Sequence, residues 1–163
     1  MPCRLPLSLG FSKYALEFEG TNHVEVSDDP SLALGTEDFS VAFWLKTSTT
    51  SRGFIVDKRT GTYGTGGVGF NVSVKGAAGL GRLEAGIGDG TNYIGDSTLI
   101  SNTSVTDNLY HYIVVNFARS IGEILCYVDG FFELSVDISH VTGSITNPQN
   151  LRIGVRSYNF TNR

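Results

Sequence analysis

The loop Gly88-Asp89-Gly90-Thr91-Asn92-Tyr93-Ile94-Gly95-Asp96 combines two kinds of chemistry in one short stretch. Asp89, Asn92 and Asp96 supply carboxylate and amide oxygens, the ligands that Ca²⁺ gathers from loops. Tyr93 supplies an aromatic ring, and the apolar C–H face of a pyranose can stack on such a ring. Tyr63 and Tyr158 sit in similar polar or glycine-rich surroundings. The expected ligand contacts are therefore Tyr63, Tyr93, Asp89, Asn92 and Asp96, with Asp89, Asn92 and Asp96 as the expected calcium ligands. Asp and Asn are also ordinary turn residues, and a turn that holds no ion is the simpler reading of the same three positions. Other loops carry Asp28, Asp29, Asp57, Asp107 and Asn108.

Other chemistries fit less well. His23, His111 and His140 are dispersed without zinc-ligand spacing. His111, between Tyr110 and Tyr112, reads as a strand histidine satisfied by a local hydrogen bond. There is no serine nucleophile elbow, and the glycine-rich run 61–69 feeds a strand and offers no helix N-terminus to a phosphate. Cys3 and Cys126 are far apart and read as free thiols. Asn71, Asn102 and Asn159 begin N-x-S/T triplets, which matter only in a eukaryotic secretory pathway. A net charge of −4 argues against a nucleic-acid partner, and no apolar run is long enough to be inserted in a membrane. The N-terminal MPCRLPLSLGFSK lacks the apolar length and cleavage site of a signal peptide.

The elements that must position these residues are strands. Twenty glycines and recurrent Val, Ile, Thr, Phe and Tyr favour strands with tight turns. Asp129-Gly130 supplies the positive φ angles of a type I′ turn between two alternating runs. Unbroken alternation from that turn pairs Val128 with Phe131, Tyr127 with Phe132 and Leu125 with Leu134. It would place Leu125, Tyr127, Phe132, Leu134 and Val136 on one face, with Cys126, Glu133, Ser135 and Asp137 on the other. The runs 39–46 and 109–118 are apolar on both faces and predict central strands, with Trp44 buried. Replacing a buried Trp44 by Ala should cost about 3–5 kcal/mol. Further strands are predicted at 14–18, 23–26, 53–57, 67–75, 82–87, 92–94 and 151–155, with one helical turn near Pro30 capped by Asp28 or Asp29. Their spacing is that of an all-β sandwich or barrel.

Four blocks carry a resemblance: LEFEGTNHVEV (16–26), FSVAFWLK (39–46), DNLYHYIVVNF (107–117), and LCYVDGFFELS (125–135) followed by LRIG (151–154). In this order they resemble the laminin-G-like and pentraxin-like modules of the concanavalin A-like lectin/glucanase superfamily. Tyr110 stands where the family usually has Trp. The resemblance implies a two-sheet antiparallel jelly-roll sandwich, with residues 1–13 as a lead-in and 14–163 as the domain. Such modules usually continue into a further closing strand, so the chain is expected to be truncated at its C-terminus. Its open sheet edge near residues 14–18 would invite a homodimer.

A hydrolase of this superfamily would carry carboxylates alternating along one strand, about 5–5.5 Å apart for retention. Glu17 and Glu19 have the spacing but fall on a peripheral strand that is structural in the resembling family. No catalytic residue is assigned, and the chain is expected not to be an enzyme. The expected function is a non-catalytic recognition module in a larger secreted, cell-surface or virion protein, with glycan or an extracellular protein surface as partner. The alternatives are a structural or assembly domain without its own ligand, and a hydrolase-related accessory domain.

Overall fold

The computed structural model describes residues 15–20, 22–61, 67–75 and 80–156, the side chain of Asp96 excepted. Its strands are β1 (Val24–Val26), β2 (Phe39–Lys46), β3 (Gly53–Thr60), β4 (Val68–Val74), β5 (Leu83–Asp89), β6 (Tyr93–Leu99), β7 (Tyr110–Ala118), β8 (Glu123–Val128), β9 (Phe131–Asp137) and β10 (Leu151–Ile153). They form two antiparallel sheets, a six-stranded one in the order β1-β10-β3-β4-β5-β6 and a four-stranded one in the order β2-β7-β8-β9. A 3₁₀ turn, Pro30–Leu32, begins where the Asp29 side chain accepts the Ser31 N–H.

Alternation along each strand sends one set of apolar residues into the space between the sheets. Val72, Leu83, Ala85, Ile87, Ile113, Val115, Phe117, Ile124 and Cys126 are all buried there. Phe39 stacks on Phe117 within the four-stranded sheet, with centroids 4.5 Å apart. Phe70 of β4 meets the same Phe117 edge-on from the other sheet at 5.6 Å, so three rings tie the two layers together. Lys58 is also buried, and its ammonium is satisfied by Asp28 Oδ1 at 2.7 Å and by the carbonyls of Asn147 and Gln149.

Several sequence expectations are corrected. The run 39–46 is an edge strand among the described residues, and Trp44 is 54% exposed. Phe39, Val41, Phe43 and Leu45 pack on the core, while Ala42 and Trp44 take outward positions that a polar residue would have made legible. The Asp129-Gly130 hairpin forms, with φ of 54° and 85°, but a bulge between Cys126 and Tyr127 shifts its register. Leu125 therefore pairs with Ser135, and Leu134 pairs with Cys126. Ile124, Cys126 and Val128 face the core, and Tyr127 and Phe132 do not. Burial pushes the Cys126 thiol up to about 12. Residues 15–19 form no strand; Asn22 accepts the Glu19 N–H and donates to the Glu17 carbonyl. The predicted edge therefore does not lie there, and β1 occupies that end of the six-stranded sheet.

Candidate functional site

The loop expected to hold a ligand is built as a turn between β5 and β6. Asp89 ends β5, and its Oδ1 accepts the N–H groups of Thr91 at 2.9 Å and Asn92 at 2.7 Å. Its Oδ2 accepts the Gly143 N–H at 2.8 Å, which fastens the 139–146 loop to the turn. Burial disfavours the charged carboxylate, yet these hydrogen bonds outweigh it and hold Asp89 below the usual carboxylate range. Arg119 secures the same loop by donating to the carbonyls of Gly35, Val141 and Gly143. Tyr93, which opens β6, is 46% exposed, and its carbonyl accepts from His140. Asp96 lies along β6 itself. Tyr63 and Tyr158 lie outside the described residues. Among the described residues, no three His, Cys, Asp or Glu side chains come together as metal ligands.

A larger feature lies on the outer face of the four-stranded sheet. The register sets Trp44 beside Tyr112 and Lys46 beside Tyr110 on the β2–β7 pair. It sets Val114 beside Tyr127, and Tyr127 beside Phe132, across β7, β8 and β9. The Trp44 and Tyr112 rings are 5.2 Å apart, and Tyr127 and Phe132 are 5.6 Å apart. Lys46 Nζ stands 5.4 Å from the centre of the Tyr110 ring. Trp44, Tyr110, Tyr112 and Phe132 are all substantially exposed. Aromatic side chains offer about 150–250 Å² each, so this half-open set reaches the few hundred Å² that typically marks a contact surface. Sequence reasoning assigned Trp44 to the core because nothing in an apolar run says which face will be left uncovered.

At the end of this aromatic face, His111 points inward between two acids. Its Nδ1 lies 2.7 Å from Asp129 Oδ2 and its Nε2 lies 3.1 Å from Asp107 Oδ1. Asp129 Oδ1 also accepts the Tyr112 N–H, so the turn residue that shapes the hairpin anchors its tip to β7 as well. Burial would lower the His111 pKa, but the two carboxylates overcome it and raise it above 6.5. Glu133 of β9 similarly holds a neighbouring loop, accepting from the N–H groups of Asn102 and Thr103 and from the Thr103 hydroxyl.

The outer face of the six-stranded sheet is charged. Asp57, Arg59, Asn71, Ser73 and Glu84 are all buried on it, alternating with core residues on β3, β4 and β5. Asp57 Oδ2 accepts from Arg59 Nε at 3.0 Å, and Glu84 pairs with Arg52 at 2.8 Å. Asp57 thus belongs to a buried network on a strand, and Glu17 and Glu19 lie outside both sheets.

A laminin-G family model, described as "Concanavalin A-like lectin/glucanases superfamily", matches residues 18–162. The chain belongs to this superfamily. No curated protein matches it. Among solved structures, the binding domain of Paraclostridial Mosquitocidal Protein 1 is similar with TM-score 0.61 and 16% identity, covering 84% of this chain and 34% of that one. Domains LG4-5 of the mouse laminin alpha1 chain are similar with TM-score 0.57 and 14% identity, covering 86% and 33%. The binding domain of Botulinum Neurotoxin DC, solved in complex with SialylT, is similar with TM-score 0.56 and 16% identity, covering 83% and 32%. At these identities the superfamily relationship establishes the jelly-roll sandwich. The chain spans about a third of the length of each structure.

Proposed function

We propose that this domain is a non-catalytic recognition module that binds glycan across the outer face of its four-stranded sheet. The carrying observation is the run of exposed rings, Trp44 with Tyr112 and Tyr110, and Phe132 beside the half-buried Tyr127, aligned by strand register. A pyranose presents an apolar C–H face to such rings. Lys46 and the hydrogen-bonded pair Ser40–Asn116 supply polar groups in the flanking rows for its hydroxyls. The solved complex of a similar binding domain with SialylT supports a sugar as the ligand class. Asp89, Asp107, Asp129 and Glu133 accept backbone N–H groups, and that structural employment supports the non-catalytic reading. The module acts outside the cell or on a cell or virion surface, within a longer protein.

A second reading places the contact at the loop end, with Tyr63, Tyr93, Asp89, Asn92 and Asp96 and with calcium as an auxiliary ion. The exposure of Tyr93 favours it. A glycan array probed with the parent, with W44A/Y112A and with Y93A/D96A, each with Ca²⁺ and with a chelator, separates the two. Loss of binding in W44A/Y112A, with Y93A/D96A and chelated samples unaffected, is the expected result. The opposite pattern moves the site to the loop. A parent that binds no glycan overturns both and leaves an assembly role or a protein partner.

A further inference from the structure

Lys46 is the only lysine or arginine in β2, β7, β8 and β9, the strands of the four-stranded sheet. It ends β2 at an outward position, two residues beyond Trp44 and paired with Tyr110 across the sheet. Its side chain is exposed, with Nζ 5.4 Å from the centre of the Tyr110 ring, and among the described residues no carboxylate pairs with it. The acids at this end of the face are already engaged. Asp107 Oδ1 accepts the Leu109 N–H and faces His111 Nε2, and the two oxygens of Asp129 are taken by His111 and by the Tyr112 N–H. From Trp44 to Ser40 on β2, and from Tyr112 to Asn116 on β7, the outward positions carry no charge. Outward carboxylates return at the far end, where Glu123 of β8 stands between Ala118 of β7 and Asp137 of β9. Ala118 lies eight residues along β7 from Tyr110, about 27 Å at the rise of an antiparallel strand. The aromatic face is thus polarised, with a cation at one end and acids at the other.

We propose that the glycan taken up by this face is acidic, with its carboxylate or sulfate group on Lys46 and a pyranose ring against Trp44 and Tyr112. The inference rests on the glycan reading of the aromatic face and adds the charge and the direction of the ligand. Lys46 and Trp44 project from one face about 7 Å apart along β2, so an acidic substituent on a ring over Trp44 comes within reach of the flexible lysine stem. The ammonium has three N–H donors and can serve the anion and a neighbouring hydroxyl together. Its contact with the Tyr110 ring holds it over the face without cancelling its charge. An anion set at the other end would meet Glu123 and Asp137 instead, so the acidic end of the glycan points toward the Asp129-Gly130 turn.

A glycan array carrying each backbone in neutral, carboxylated and sulfated form, among them lactose, sialyllactose and sulfated lactose, tests the proposal at fixed ionic strength. The parent should bind an acidic form about fivefold tighter than its own neutral backbone, the size of one exposed charge pair. The carboxylated and sulfated arms identify which anion is preferred. Lys46→Gln should bring the ratio of acidic to neutral binding to about one, and Lys46→Arg should keep it. Added salt should shrink the ratio in the parent and leave it unmoved in Lys46→Gln. Lys46→Arg keeps the test readable if Lys46→Gln melts below the parent. Equal binding of acidic and neutral forms by the parent overturns this inference and leaves the glycan reading standing. So does an acidic preference that survives in Lys46→Gln. A parent that binds no glycan overturns both.

Discussion

The two outer faces of this sandwich are made in opposite ways. On the four-stranded sheet, aromatic rings stand exposed, with few polar atoms that folding has to satisfy. On the six-stranded sheet, Asp57 and Arg59 are fully buried, and Glu84 nearly so. Rings left open cost little, because apolar surface is common on any folded protein. Charges taken out of water have to be paired, and each pairing constrains its neighbours. The comparison therefore separates a face that can be altered without unfolding the domain from one that cannot.

The largest expected effect lies on the charged face. Asp57→Ala removes the carboxylate that accepts from the buried Arg59 Nε and should cost about 3–5 kcal/mol in chemical denaturation. The double variant Asp57→Ala/Arg59→Met should recover most of that loss. If the double variant is as unstable as the single one, the pair is not the reason the face is sensitive.

Trp44→Ala sharpens the other side of the comparison. It should lower glycan binding about tenfold or more while changing stability by no more than about 1 kcal/mol, as expected of a half-exposed ring. A loss near the 3–5 kcal/mol of a buried aromatic would show that the outer face is covered in solution.

His111 lies at the boundary between the aromatic face and the core. Its folded pKa is raised, so its stabilising contribution is full below pH 6.5 and is lost as pH rises through the folded value. Asp107 and Asp129 are depressed below 3.8, so their contribution is present above that value and is lost as pH falls through their folded pKa values. The stability difference between the parent and His111→Gln should therefore be greatest between these limits. A difference that stays flat from pH 5 to pH 10 would mean that the ring is not charged in the folded domain.

The smallest expected effect is self-association. β1 and β6 end the six-stranded sheet, and pairing of either with a second copy would appear in sedimentation velocity at high concentration. A single monomeric boundary at all concentrations removes that route to a dimer.

Much of the fold was legible because strand and turn chemistry are local. Asp129-Gly130 marked its hairpin, and the runs around Val72, Ile87, Val115 and Ile153 marked their strands. The failures have one physical source. Alternation shows that a strand has two faces, but it does not say which neighbour covers each. The apolar run puts Trp44 inside, and the bulge between Cys126 and Tyr127 moves Leu134 and Val136 off the face they were expected to share with Leu125, Tyr127 and Phe132. The charged face was less legible still. Arg59, Asn71 and Glu84 are far apart in sequence and meet only through the β3–β4–β5 register. Asp89 was found as an oxygen-bearing residue, and the structure shows those oxygens employed by its own turn.

The buried thiol of Cys126 turns this architecture into its own clock. A thiol reacts as thiolate, and one pushed up to about 12 and sealed between two sheets is protected until the sandwich opens. In a Cys3→Ser background, alkylation at Cys126 reports the opening frequency of the four-stranded sheet in the native protein. Its rate should be slow and rise with denaturant along the slope of global unfolding. Added glycan should slow it further by mass action, so the same measurement detects ligand without a label on the sugar.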